Sequence, residues 1–116
     1  MTESIIQYKS FKFALEIIHL YIKLQKQREY ALSKQLLRSG TSIDANVKEA
    51  SGDQSRKDFL AKMYIAYKEV SETKYWLRLL QQSKLVNIYL TNELIYAGEI
   101  IQILSSIVKT TEKSID

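Results

Sequence analysis

The chain has 116 residues, 46% hydrophobic and 26% charged, with a formal net charge of +4 and a pI near 9.2. That length suits a single domain over 1–116, and the composition excludes a disordered chain. Cysteine is absent, which excludes disulfides, thiolate metal sites and a cysteine nucleophile. Proline is absent too, and Gly40, Gly52 and Gly98 are too few turn formers for a β-sandwich or barrel.

The first predicted helix covers residues 9–26. On a wheel of 100° per residue, Phe11, Phe13, Ala14, Leu15, Ile17, Ile18, Leu20, Tyr21, Ile22 and Leu24 occupy more than half the circumference. One core contact needs a stripe of only about 100°, so apolar surface is left over. The second helix, 29–50, sets Leu32, Leu36, Ile43, Val47 and Ala50 on one face. Gly40, in mid-helix, is either the site of a close helix approach or simply tolerated. Ser51 to Gln54 breaks the pattern, with Gly52 expected as a left-handed stop.

The third helix, 55–82, opens on Ser55-Arg56-Lys57-Asp58, which resembles a capping box. Phe59, Met63, Ala66, Val70, Thr73, Leu77 and Leu80 then alternate steps of four and three, the seam of left-handed bundle packing. Residues 83–91 read as a connection apolar enough to pack. In the fourth helix, 92–109, Leu94, Ala97, Ile101, Leu104 and Val108 form one stripe and Tyr96, Ile100, Ile103 and Ile107 another, with fraying expected from Thr110 onward.

Four amphipathic helices with short connections imply an all-α fold, the antiparallel up-down four-helix bundle. The second stripes of helices one and four would face water in a monomer, which points to self-assembly. The N-terminus has no basic-then-apolar leader and no apolar run approaches the ~20 residues of a membrane span, so the expected setting is cytoplasmic, with no membrane partner.

Catalytic patterns are missing. His19 is the one histidine and falls on a polar sector; Glu69 and Glu72 form Glu-x-x-Glu with no histidine to complete a mixed metal site. No phosphate-binding glycine loop, His-Glu-x-x-His or Gly-x-Ser-x-Gly occurs. The expectation is a protein that is not an enzyme, with no cofactor and no metal.

Gln35, Arg38, Ser42, Asn46 and Glu49 run beside the core stripe of helix two, with Glu69 and Glu72 similarly placed on helix three. Half-buried polar groups need partners, so these form either a network fixing helix register or subunit contacts, or a binding pocket. Arg38 is expected to lie inside and to pair with Glu69 or Glu72.

The stretch from Tyr30 through Gln35, Arg38-Ser39, Ser42-Ile43, Asn46 and Glu49 resembles the pattern Y-x-L-x-x-Q-L-x-R-S-x-x-S-I-x-x-N-x-x-E, and Asp58-Phe59 with Ile65 to Leu77 resembles its third-helix continuation. These mark the four-helix-bundle proteins often encoded in intervening sequences of bacterial 23S ribosomal RNA genes, once called S23 ribosomal proteins. The resemblance spans about residues 8–108. It implies a homopentamer with a central channel and no established enzymatic activity. Through the related accessory variability determinant of diversity-generating retroelements, it also implies a reverse transcriptase or nucleic acid as partner. This chain departs from many relatives at Asp44, where they carry proline, and at Ala50, where they carry glycine.

Residues 23–48 hold six cations against Glu29 and Asp44. Lys23, Lys26, Arg28, Lys34 and Lys48 are therefore candidates for contacts to RNA or DNA phosphates. Tyr8, Tyr30, Tyr64, Tyr67 and Tyr75 are candidates for base stacking wherever they prove exposed. The alternative is a structural or protein-interaction module with a protein partner and no nucleic-acid binding of its own.

Overall fold

The computed structural model describes residues 2–52 and 55–115; Met1, Asp53, Gln54 and Asp116, to which parts of the expected turn and tail belong, lie outside the described residues. Four helices follow one another: α1 (Thr2–Lys26), α2 (Ala31–Ser51), α3 (Arg56–Ser83) and α4 (Thr91–Ile115). They form a rod of 48 × 21 × 21 Å, each helix packing on its sequence neighbour and α4 closing the ring against α1.

Cross-helix bonds show that neighbours run antiparallel. Ser10 bonds Asp44 near one end of α1 and Gln25 bonds Ser33 near the other, at 3.2 and 2.8 Å. Arg56 Nε donates to Ser114 Oγ across α3 and α4 at 2.8 Å, and Gln81 Oε1 accepts from the Leu90 amide at 3.0 Å. The α1–α2 and α3–α4 connections therefore share one end of the rod.

The third-helix seam packs as its spacing implies: Met63, Ala66, Val70, Thr73, Leu77 and Leu80 are buried and Phe59 is half-buried. Leu36, Ile43, Val47 and Ala50 meet them from α2, and Phe13, Ile17 and Leu24 from α1. At Gly40 the two helices pack tightly: a Cβ there would lie 2.8 Å from Ile17 Cγ2 of α1. The glycine is a packing requirement.

Several boundaries differ from the sequence reading. α1 begins about two turns earlier, because Ile6 continues the Phe13–Leu20 face and is fully buried. α4 runs on to Ile115, held by the buried Thr111, so the expected fraying from Thr110 is not found. Gly52 is right-handed, at φ −96°. The left-handed stops fall instead on Arg28 and Lys84, at φ 63° and 58°. Arg28 sits in a Schellman turn: its amide donates to the Gln25 carbonyl, and the Glu29 amide donates to that of Leu24. Holding a non-glycine residue there costs about 1–2 kcal/mol.

The starts of α3 and α2 are capped by side chains. Ser55 Oγ accepts from the Asp58 amide at 3.0 Å, as the capping-box reading requires. The Glu29 carboxylate accepts from the Leu32 and Ser33 amides at 3.0 and 2.7 Å and is buried by doing so.

Helices one and four part company. In α4 the second stripe is largely covered: Ile100 and Ile107 are buried, Tyr96 and Ile103 half-buried, and the Tyr96 ring stacks on Phe13 at 5.6 Å. This corrects the expected exposure there. In α1, Tyr8, Phe11, Leu15, Ile18 and Ile22 all remain exposed.

Candidate nucleic-acid interface

The family-motif residues come together along the outer groove between α2 and α3. Arg38 Nη1 lies 3.5 Å from Glu69 Oε2, its Nη2 contacts Glu72 Oε2, and its Nε donates to Gln35 Oε1 at 3.3 Å. Trp76 Nε1 donates to the same Glu72 oxygen at 2.9 Å. Further along, Asn46 Nδ2 donates to the Ser42 carbonyl at 2.9 Å, and Glu49 faces Lys62 at 3.7 Å.

The charge pairing expected of Arg38 is present, but its burial is not: the Arg38 side chain is 50% exposed. It lies at the rim because its position on α2 points across the groove and past the core seam. A pair this exposed contributes on the order of 1 kcal/mol or less. Along the stripe, side chains of α2 meet side chains of α3 at Arg38–Glu69, Arg38–Glu72 and Glu49–Lys62. Among the described residues no cluster of three His, Cys, Asp or Glu side chains is placed to hold a metal ion, and no helix is long and apolar enough to cross a membrane.

The net positive charge lies at the loop end of the rod, where carboxylates are few. Residues 20–37 and 76–97 contain Lys23, Lys26, Arg28, Lys34, Arg78 and Lys84 against Glu29 and Glu93, a net +4, while the rest of the chain balances eleven cations with eleven carboxylates. The whole formal excess sits there. Glu29 is already engaged by the α2 amides, and among the described residues none of the six cations pairs with a carboxylate.

Four of the five candidate cations thus share this end. Lys48 does not: it lies 14 residues beyond Lys34 on α2, about 21 Å away. Arg78 and Lys84 join the group without having been picked out from the sequence. Arg78 lies on an outer position of a helix whose evident pattern is its seam, and Lys84 lies in a connection.

That connection has its own order. From Lys84 to Leu90, Val86 and Ile88 are half-buried and Leu90 fully buried, while Leu85, Asn87 and Tyr89 face outward. The alternation is that of an extended segment lying on the bundle, and it leaves Tyr89 91% exposed. Tyr30, at the start of α2, is exposed on the same end. Of the other tyrosines considered for stacking, Tyr8, Tyr64 and Tyr75 are exposed elsewhere along the rod and Tyr67 is half-buried.

The third surface feature is the α1 seam. Tyr8, Phe11, Leu15, Ile18 and Ile22 follow one another at steps of three and four, the spacing with which one helix packs along another. His19 lies exposed beside it.

No protein of curated function matches this chain. A solved protein of unknown function from the S23 ribosomal protein family of Bacteroides thetaiotaomicron VPI-5482 is 42% identical, with a TM-score of 0.88 over 94% of this chain and 99% of that one. The pattern described as 23S rRNA-intervening sequence protein matches residues 2–108, from the first turn of α1 through the core face of α4. The Tyr30–Glu49 and Ile65–Leu77 segments lie within that match and build the α2–α3 groove. On its sequence pattern and its fold alike, the chain belongs to the 23S rRNA-intervening sequence protein family.

Proposed function

We propose that the chain is a non-enzymatic, cytoplasmic, homo-oligomeric bundle protein that binds RNA or another nucleic acid without sequence preference, through backbone phosphates. The observation that carries this reading is the exposed seam of α1. Five large apolar side chains at packing spacing lie outside a bundle whose interior is already filled. Burying apolar area is worth roughly 25 cal/mol per Å², so a second copy covering that seam gains several kcal/mol. Five copies is the number the family resemblance implies.

Assembly gives the loop-end cations their effect. One subunit presents a net +4 at that end; several subunits present it several times on one particle, and weak phosphate contacts then act together.

Light scattering at micromolar concentration tests the assembly, with a mass several times 13.5 kDa expected. Fluorescence anisotropy with ribosomal RNA fragments at about 50 and 200 mM salt tests the binding, whose affinity is expected to fall steeply between the two. A single-subunit mass overturns the assembly. An oligomer that ignores RNA at low salt favours the protein-interaction module, with a helical partner such as a reverse transcriptase.

A further inference from the structure

We propose that the loop end of the bundle is a docking face for single-stranded nucleic acid, on which Tyr89 and Tyr30 stack against unpaired bases while Lys23, Lys26, Arg28, Lys34, Arg78 and Lys84 hold the phosphates. The inference rests on the nucleic-acid reading above and narrows it to one face and one strand state.

Three independent features coincide there. The first is charge: the entire formal excess of the chain lies at this end, among the described residues without carboxylate partners. A cluster of unpaired cations on one face attracts a polyanion and repels a second copy of itself.

The second is aromatic exposure. Tyr89 is 91% exposed and Tyr30 58%; in the α3–α4 connection Val86, Ile88 and Leu90 turn inward, while Leu85 and Asn87 face outward beside Tyr89. Beside Tyr89 the surface opens into a hollow of about 490 Å³, which Gln81, Lys84, Asn87 and Thr91 also line. A ring beside cations and amide groups offers a nucleotide a stacking surface, a phosphate partner and hydrogen bonds together.

The third is backbone conformation. Arg28 and Lys84 are the described non-glycine residues with positive φ, and both are basic, both close a helix, and both lie on this end. Glycine is favoured at such stops. Keeping long cations there trades stability for charge at the two loops, as strained positions at binding sites do.

Strand state follows from the rings. In a duplex the base faces are already stacked on one another, so an exposed tyrosine finds no partner; an unpaired strand offers them freely. Phosphate contacts alone would not distinguish the two.

The test is anisotropy with the full chain, using a labelled oligouridylate of about 20 nucleotides, an RNA duplex of the same length, and phosphatidylserine vesicles as a third probe. The wild-type protein is expected to prefer the single strand. Tyr89→Ala and Tyr30→Ala are each expected to weaken it at least about fivefold with the salt dependence kept, and to leave the duplex unaffected; Tyr89→Phe should bind as wild type. Arg78→Ala and Lys84→Ala should instead flatten the salt dependence for both RNAs.

Circular dichroism confirms that each variant folds, and the Tyr89→Phe comparison separates ring stacking from hydrogen bonding by the hydroxyl. Tyrosine variants that bind the single strand like wild type overturn the docking face while leaving phosphate binding intact. A protein that binds neither RNA, or that binds vesicles alone, overturns both readings.

Discussion

Helices α1 and α4 are alike in the sequence, each carrying two apolar stripes, yet the fold treats them differently. The stripes of α4 lie about 110° apart on the helical wheel, and the core points between them, so both reach cover. In α1 the exposed seam is centred about 160° from the buried face of Ile6, Phe13, Ile17 and Leu24, too far round for any single interior to reach. The amount of apolar surface therefore says less than its angular division. A wide stripe serves one core, and two opposed stripes need two.

The largest test of that contrast compares one isoleucine from each helix. Ile100 of α4 is fully buried, and Ile100→Ala is expected to cost about 2–5 kcal/mol in urea unfolding, by lost transfer energy and the cavity left behind. Ile18 of α1 is exposed, so Ile18→Asp should leave the helical circular dichroism unchanged and instead reduce the mass seen by light scattering to a single subunit. An assembled Ile18→Asp protein would remove α1 from the interface.

Two glycines sharpen the comparison. Gly40→Ala places a methyl against Ile17, a β-branched side chain with little room to turn, and is expected to destabilise by about 1–3 kcal/mol despite alanine's better helix propensity. Gly98→Ala on α4 meets nothing within 4 Å, so propensity acts alone and should add about 1 kcal/mol. One substitution thus has opposite signs on the two sides of the bundle. Equal signs in thermal or urea unfolding would mean that α1 does not approach α2 as closely as the structure places it.

The third helix was the most legible part of the sequence, because steps of four and three over Met63 to Leu80 leave little choice of buried face. The α1 seam was legible as surplus, though the wheel angles that separate it from α4 had to be weighed as well as the apolar residues counted. Gly52 misled because glycine permits a left-handed stop without requiring one, whereas Arg28 and Lys84 adopt that conformation without the residue type that announces it. The cationic loop end was half visible. Lys23, Lys26, Arg28 and Lys34 are close in sequence, but Arg78, Lys84 and Tyr89 join them only when the fold brings the two connections to the same end.

The smallest expected effect lies where Lys9 of α1 meets Glu99 and Tyr96 of α4. Burial first, and then the negative charges of Glu16, Tyr8 and Glu99, raise the Tyr96 hydroxyl above the ordinary tyrosine value of 10.0. The Lys9 ammonium lies over the ring at 5.1 Å and pairs with Glu99 at 3.3 Å, which holds the two helices together at this level. In the unfolded chain the phenol ionises from about pH 10, while in the folded chain it keeps its proton to higher pH. The folded state then binds more protons than the unfolded one, so this stabilising contribution is complete below pH 10 and declines as pH rises through the raised value. Tyr96→Phe keeps the stacking on Phe13 and removes the proton, and its unfolding free energy between pH 9 and pH 11 should fall less steeply than that of the wild type. Equal slopes would place the alkaline sensitivity in groups other than the Tyr96 hydroxyl.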